Sequence, residues 1–214
     1  MAKILANDGI SASGVEALKS YGYEVSTTNV AQEQLENHIN SNEINVLLVR
    51  SATTVRKDLI DACQSLKIIG RGGVGMDNID VDYAREKGLH VINTPAASSA
   101  SVAELVFAHL YGGVRYLFDA NRQMPLEGDT KFKVLKKNYA AGSELRGKTM
   151  GVIGFGRIGQ ETAKIALGIG MNVVAHDPFM DKAEVKVILG NGAQVEVTIE
   201  MNSFESVLKK ADFI

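Results

Sequence analysis

Eleven residues constrain this chain more than any others: Thr149-Met150-Gly151-Val152-Ile153-Gly154-Phe155-Gly156-Arg157-Ile158-Gly159. Residues 150–153 are a short apolar run of the kind that forms a buried strand. Glycines at 154, 156 and 159 follow with the spacing G-x-G-x-x-G, and a helix is predicted from about Arg157. Each glycine has a physical task. Gly154 permits a tight turn out of the strand, Gly156 lets a pyrophosphate approach bare backbone, and Gly159 lets the helix lie close on the sheet. The free N–H groups and partial positive charge of the helix tip would face the phosphates.

A G-x-G-x-x-G spacing alone is weak, so its surroundings decide. The predicted helix over 158–167 carries apolar Ile158, Ala163, Ile165, Ala166 and Leu167, with Gly168 and Gly170 placed to end it. A second strand is predicted over 172–176, and Asp177 follows, 23 residues beyond Gly154. That is close to the spacing of about 20 expected for a carboxylate on the ribose of a dinucleotide. Strand, glycine turn, helix, strand and acid in this order predict a dinucleotide site; a tight turn in an unrelated α/β domain is the alternative. Arg157 has two readings. The helix dipole disfavours a cation there by about 0.3–1 kcal/mol, so either an anion binds beside it or it is a solvated arginine. A carboxylate at 177 repels a 2′-phosphate, and no arginine occurs over 178–182, so NAD is favoured over NADP. Lys182 is the nearest opposing cation.

The length of 214 residues suits one large domain or two small ones. With 45% hydrophobic and 22% charged residues and a net charge of −2, there is no basic excess to suggest nucleic acid. No apolar run approaches membrane-spanning length, and the start of the chain is too short for a secretory core. A single cysteine, Cys63, forms no internal disulfide and reads as a buried thiol on a helix face. A cytoplasmic protein fits these features.

The first half alternates strands and helices. Strands are predicted over 3–7, 23–26, 46–49, 66–70 and 89–93. Helices are predicted over 13–20, capped by Ser13 with Glu16 closing a capping box, then over 32–39, 58–65 and 80–87, the last capped by Asp80. The run Val46-Leu47-Leu48-Val49 marks a strand covered on both faces. This alternation predicts a parallel sheet with helices on both faces, whose ligands bind beyond the carboxyl ends of the strands. The polar loops 50–53, 71–78 and 93–101 lie at those ends. Arg50 and Arg71 each follow a strand, so each could hold an anionic substrate bidentately or pair with a local carboxylate. Gly72, Gly73 and Gly75 could expose an N–H nest for an anion or simply permit a tight loop.

Residues 93–101, polar and containing Pro95, form the predicted boundary between domains 1–98 and 99–214. A long helix is predicted from near Ser101 to about Asp119. Gly112-Gly113 inside it points either to close approach of another backbone, as across a subunit contact, or to a local break. Residues 123–137 read as loop with a short helical piece. Beyond Asp177 a helix is predicted over 182–189, an edge strand over 193–199, and a helix over 204–210 with Val207 and Leu208 inward. Residues 211–214 resemble the start of a further strand. A dinucleotide fold needs a second half, so the chain is expected to be incomplete at its C-terminal end.

Taken together, Arg50-Ser51-Ala52-Thr53, residues 70–80, Asn93-Thr94-Pro95, Val102-Ala103-Glu104, the glycine turn and Asp177-Pro178 resemble the D-isomer-specific 2-hydroxyacid dehydrogenase family. The resemblance runs in order through nearly the whole chain. It implies two doubly wound α/β parallel-sheet domains: a flavodoxin-like substrate domain over 1–98 and an incomplete Rossmann NAD-binding domain over 99–214, in a homodimer. The implied activity is NAD-dependent oxidation of a small anionic 2-hydroxy acid, or reduction of the 2-oxo acid. The implied substrate contacts are Arg50, Ser51, Arg71 and the backbone of Gly73, Val74 and Gly75, with Val74 also near the nicotinamide. Arg157 and Ile158 would meet the pyrophosphate, alongside Gly154, Gly156 and Gly159, and Asp177 the adenosine ribose. The family's catalytic arginine, glutamate and histidine fall after a segment like Asp212-Phe213-Ile214. His38, His90, His109 and His176 match none of those positions, so no catalytic residue and no metal ligand is assigned. A non-catalytic NAD-sensing protein on the same scaffold is the rival reading.

Overall fold

The computed structural model describes all 214 residues and divides into two compact units, Met1–Ser98 and Ser99–Ile214.

In the first unit five strands form one parallel sheet: β1 (Lys3–Ala6), β2 (Glu24–Ser26), β3 (Val46–Val49), β4 (Ile68–Arg71) and β5 (His90–Asn93). Their order is β2-β1-β3-β4-β5, the flavodoxin-like doubly wound order expected from the alternating pattern. The crossovers carry α1 (Ala12–Ser20), α2 (Gln32–Asn42), α3 (Lys57–Ala62) and α4 (Val81–Glu86). Leu5, Leu35, Ile39, Leu47, Val55 and Ile69 are fully buried in one core. Each such side chain contributes about 1.5–3 kcal/mol on leaving water.

Two caps differ from the sequence reading. Ser11, not Ser13, caps α1, its hydroxyl accepting the Gly14 N–H at 3.2 Å. Asp80 precedes α4 but does not cap it. Its carboxylate accepts the Lys57 N–H at 3.0 Å and pairs with Arg56 at 3.0 Å, so it serves the start of α3.

The second unit opens with α5 (Ser99–Val114) and α6 (Leu117–Tyr139), separated by Tyr116 at φ +55°. The helix breaks after Val114, just beyond the glycine pair. A Cβ on Gly112 would sit 2.8 Å from the Phe118 ring, so Gly112 makes room for a side chain of the next helix, not for another backbone. Residues 123–137, read as mostly loop, lie inside α6 despite Pro125; only Lys131 leaves helical geometry. Leu135 is the single buried residue of α6, so apolar periodicity could not reveal it.

Strands β6 (Thr149–Ile153) and β7 (Asn172–His176) pair in parallel, joined through α7 (Arg157–Gly168). Phe213 bridges Met150 and Met201 bridges Ala175, both in parallel, which continues the sheet at each side. Residues 182–189 are not a helix. Lys182–Ile188 is β8, and it forms an antiparallel hairpin with β9 (Gln194–Glu200). Its polar and apolar residues alternate, Val185 is buried, and Gly192 at φ +83° closes the turn. A period of two fits a strand and not a helix. In α8 (Phe204–Lys210) Val207 is buried but Leu208 is exposed, contrary to the expected inward pair. No helix is long and apolar enough to cross a membrane.

Candidate functional site

Two clusters of side chains stand at the carboxyl ends of the strands, one in each unit.

In the first unit, Arg50 follows β3 and Arg71 ends β4; the two strands pair, with Val49 opposite Arg71. Neither arginine forms an ion pair with a carboxylate, so the structural-pair reading does not hold. Arg71 folds over its own loop, donating from Nη1 to the Gly75 carbonyl and from Nε to the Arg50 carbonyl at 3.4 Å. A Cβ on Gly73 would meet that guanidinium at 2.6 Å. The N–H groups of Gly72 and Gly73 turn inward to the carbonyls of Val49 and Arg71, whereas those of Val74 and Gly75 have no acceptor in the protein. Asn93 Nδ2 holds the Val74 carbonyl at 2.7 Å, and the Val74 side chain is 45% exposed. Ser51 is exposed beside Arg50.

Sequence reasoning missed the frame beneath this rim. Asp8, just after β1, accepts the Arg50 N–H at 2.6 Å, the Thr53 N–H at 3.2 Å and the Thr53 hydroxyl at 2.6 Å. Burial raises the Asp8 pKa, but hydrogen bonds from the Thr53 side chain and from the backbone of Arg50, Thr53 and Ala52 more than offset it, leaving the carboxyl below its ordinary value. Asn7 Nδ2 donates to the Thr53 Oγ1 at 2.8 Å. Asn78 Nδ2 donates to the carbonyls of Arg50 at 2.8 Å and Thr53 at 2.6 Å, bracing the loop after β3 against the loop after β4. Its Oδ1 is the one buried side-chain polar atom without a partner. The available signal was position: Asn7-Asp8 ends an apolar strand, where ligand loops begin.

In the second unit, the glycine turn joins β6 to α7. Gly154 sits at φ +88°, a conformation that side chains other than glycine rarely adopt. Gly156 caps α7 with nothing within 4 Å of where a Cβ would be, so the space before it is open. A Cβ on Gly159 would collide with the Gly154 carbonyl and approach Val152 at 3.0 Å. The N–H groups of Gly156, Arg157 and Ile158 have no acceptor in the protein, and both side chains are exposed. Phe155 is fully buried and pins the turn to the core, a constraint the motif itself does not state. Asp177, at the end of β7, accepts the Phe155 N–H at 2.7 Å and the Phe179 N–H at 2.9 Å. Arg157 has no carboxylate partner. Free N–H donors at a helix tip, an adjoining open face and a nearby acid fit a dinucleotide diphosphate and ribose.

None of the four histidines stands among these groups. His176 Nδ1 meets the Asn202 carbonyl at 2.9 Å and its ring packs edge-on against Phe204; His90 and His109 are exposed and His38 is on α2. No cluster of His, Cys, Asp or Glu could hold a metal ion.

A βαβ unit with a glycine turn at a helix tip and an acid ending its second strand defines the dinucleotide-binding class of α/β proteins. The chain belongs to the family described as D-isomer specific 2-hydroxyacid dehydrogenase, catalytic domain, whose model matches residues 4–211. It is 41% identical over its whole length to D-3-phosphoglycerate dehydrogenase of Methanocaldococcus jannaschii, covering 38% of that protein. Over 80% of its length it is 44% identical to hydroxypyruvate reductase of Thermotoga maritima, covering 50% of that protein. The chain therefore spans half or less of these curated relatives. Among solved structures it resembles NAD+-bound 3-phosphoglycerate dehydrogenase of Entamoeba histolytica, with TM-score 0.63 and 28% identity, covering 84% of this chain and 55% of that one.

Proposed function

We propose that the complete protein is an NAD-dependent dehydrogenase that oxidises 3-phosphoglycerate to 3-phosphohydroxypyruvate, the entry step to serine. The observation that carries this reading is the pair Arg50 and Arg71, adjacent on one sheet rim and free of carboxylates, which suits a substrate with a carboxylate and a phosphate. Whole-length likeness to phosphoglycerate dehydrogenase supports it.

In this reading Arg50 and Ser51 hold the phosphate, and Arg71 with the free N–H groups of Val74 and Gly75 holds the carboxylate. The free N–H groups of Gly156, Arg157 and Ile158, beside Gly154 and Gly159, hold the diphosphate. Asp177 takes the ribose hydroxyls. NAD, when bound, accepts hydride from the carbon bearing the hydroxyl. The hydroxyl proton needs a base within hydrogen-bond reach, which by the family resemblance is a histidine that follows a segment like Asp212-Phe213-Ile214. Residues 1–214 alone are accordingly expected to bind nucleotide without steady-state NADH formation. A cytoplasmic homodimer is part of the proposal; exposed Leu105, Tyr111, Leu117, Phe118 and Phe132 on α5 and α6 support a subunit contact.

The likeness to hydroxypyruvate reductase favours a second reading, reduction of an unphosphorylated 2-oxo acid. A substrate panel on the complete protein and its Arg50→Ala variant separates the two. Loss of preference for phosphorylated substrate is expected; an unchanged preference argues against Arg50 as the phosphate ligand. Absence of NADH with every hydroxy acid would point to the NAD-sensing alternative.

A further inference from the structure

The turn that carries Arg50 is fixed at both of its backbone polar groups by side chains from other strand ends. Its N–H is held by Asp8, after β1, and its C=O by Asn78, after β4. Thr53 closes the same turn. It is 3% exposed, donates its hydroxyl to Asp8 and accepts from Asn7. With the backbone clamped and the guanidinium unpaired, the side chain leaves the rim from a defined point.

We infer that Asp8 is a positioning residue, setting the turn so that the Arg50 guanidinium is presented to the anionic group of the substrate. This rests on the reading of Arg50 as an anion ligand. Asp8 cannot be helping through its charge, because a carboxylate hydrogen-bonded to this turn opposes an incoming anion. Neutralising it therefore has opposite consequences under the two accounts: tighter binding if charge matters most, weaker binding if position does. Asparagine cannot replace it. With its oxygen kept on the Arg50 and Thr53 N–H groups, the amide would turn an NH2 toward the Thr53 hydroxyl and leave that hydroxyl's proton without its acceptor.

The test uses the complete protein with 3-phosphoglycerate and NAD, comparing Asp8→Asn, Thr53→Val, Thr53→Ser, Arg50→Ala and the double variant Asp8→Asn/Arg50→Ala. Asp8→Asn and Thr53→Val should each raise KM about tenfold, the scale of a broken hydrogen bond to a charged group. The kcat and the Kd for NAD should stay within about twofold, and Thr53→Ser, which keeps the hydroxyl, should stay near the parent. On the Arg50→Ala background Asp8→Asn should add less than about twofold, because residues acting through one another are not additive. If Arg50→Ala raises KM while Asp8→Asn leaves it unchanged or lower, or adds its whole effect to the double variant, the positioning role is overturned and the Arg50 reading survives. If Arg50→Ala leaves KM unchanged, the anion-ligand reading itself fails. Should Asp8→Asn not fold, equal KM values for Thr53→Val and Thr53→Ser overturn the inference.

Discussion

The Asp177 carboxylate accepts the N–H of Phe155 at 2.7 Å, which ties the end of β7 to the glycine turn after β6. The acid proposed for the ribose is thus also a brace for the turn proposed for the diphosphate. Asp177→Ala should lower NAD affinity about tenfold or more, the scale of a charge-assisted hydrogen bond. Hydrogen exchange at the Phe155 amide should quicken in the same variant. Calorimetry with NAD and NADP tells the two roles apart: weaker NAD binding with an intact preference means that only the brace was lost, and a relaxed preference means that the ribose contact was lost too.

Gly156 and Gly159 make a contrast within one motif. Alanine at 159 would press on the Gly154 carbonyl and Val152, an overpacking that costs roughly 1–3 kcal/mol. Alanine at 156 meets no atom, so its cost is only that of a poorer N-cap, about 0.5–1 kcal/mol. Thermal unfolding should therefore separate the two variants. Nucleotide titration should show both weakened, Gly156→Ala through the ligand's space and Gly159→Ala through a displaced turn.

Acid should reveal Asp8. Its carboxyl is held below the ordinary aspartate value of about 3.9 by the Thr53 hydroxyl and neighbouring N–H groups, which outweigh the effect of burial. A depressed folded-state pKa contributes stability that is complete above the unfolded value and fades as pH falls through the folded one. The stability gap between the parent and Asp8→Asn should be full near neutrality and shrink below about pH 4. A gap that stays constant to pH 3 would remove the carboxylate from this account.

Cys63 should be silent in the folded protein. It is 1% exposed, and burial with the nearby Glu36 charge pushes its thiol up to about 11. The thiolate is the reactive form, so a colorimetric thiol reagent should label the chain only as fast as the first unit opens. Labelling at the rate of a free thiol would show the helix α3 region to be open in solution.

Much of this architecture was legible because it rests on short-range chemistry. Val46-Leu47-Leu48-Val49 and its counterparts had to be buried strands, and helices between them left few topologies other than a parallel sheet. The glycine spacing, the helix after it and Asp177 at its distance were likewise local. What the residues could not show was where polar side chains go when several strand ends meet. Asp80 precedes a helix it does not cap, Asp8 and Asn78 brace a turn far away in sequence, and Arg71 folds over its own loop instead of pairing with an acid.

The chain by itself determined the alternating α/β pattern and the glycine turn, because burial and backbone sterics act within a few residues. Tertiary structure decided the rest. The hairpin over 182–200 takes its form from Val185 and Ile199 finding one core, and α6 stands with a single buried side chain. Which carboxylate holds which N–H depends on strand ends that are distant in sequence, and a hydrogen bond is chosen by geometry in space.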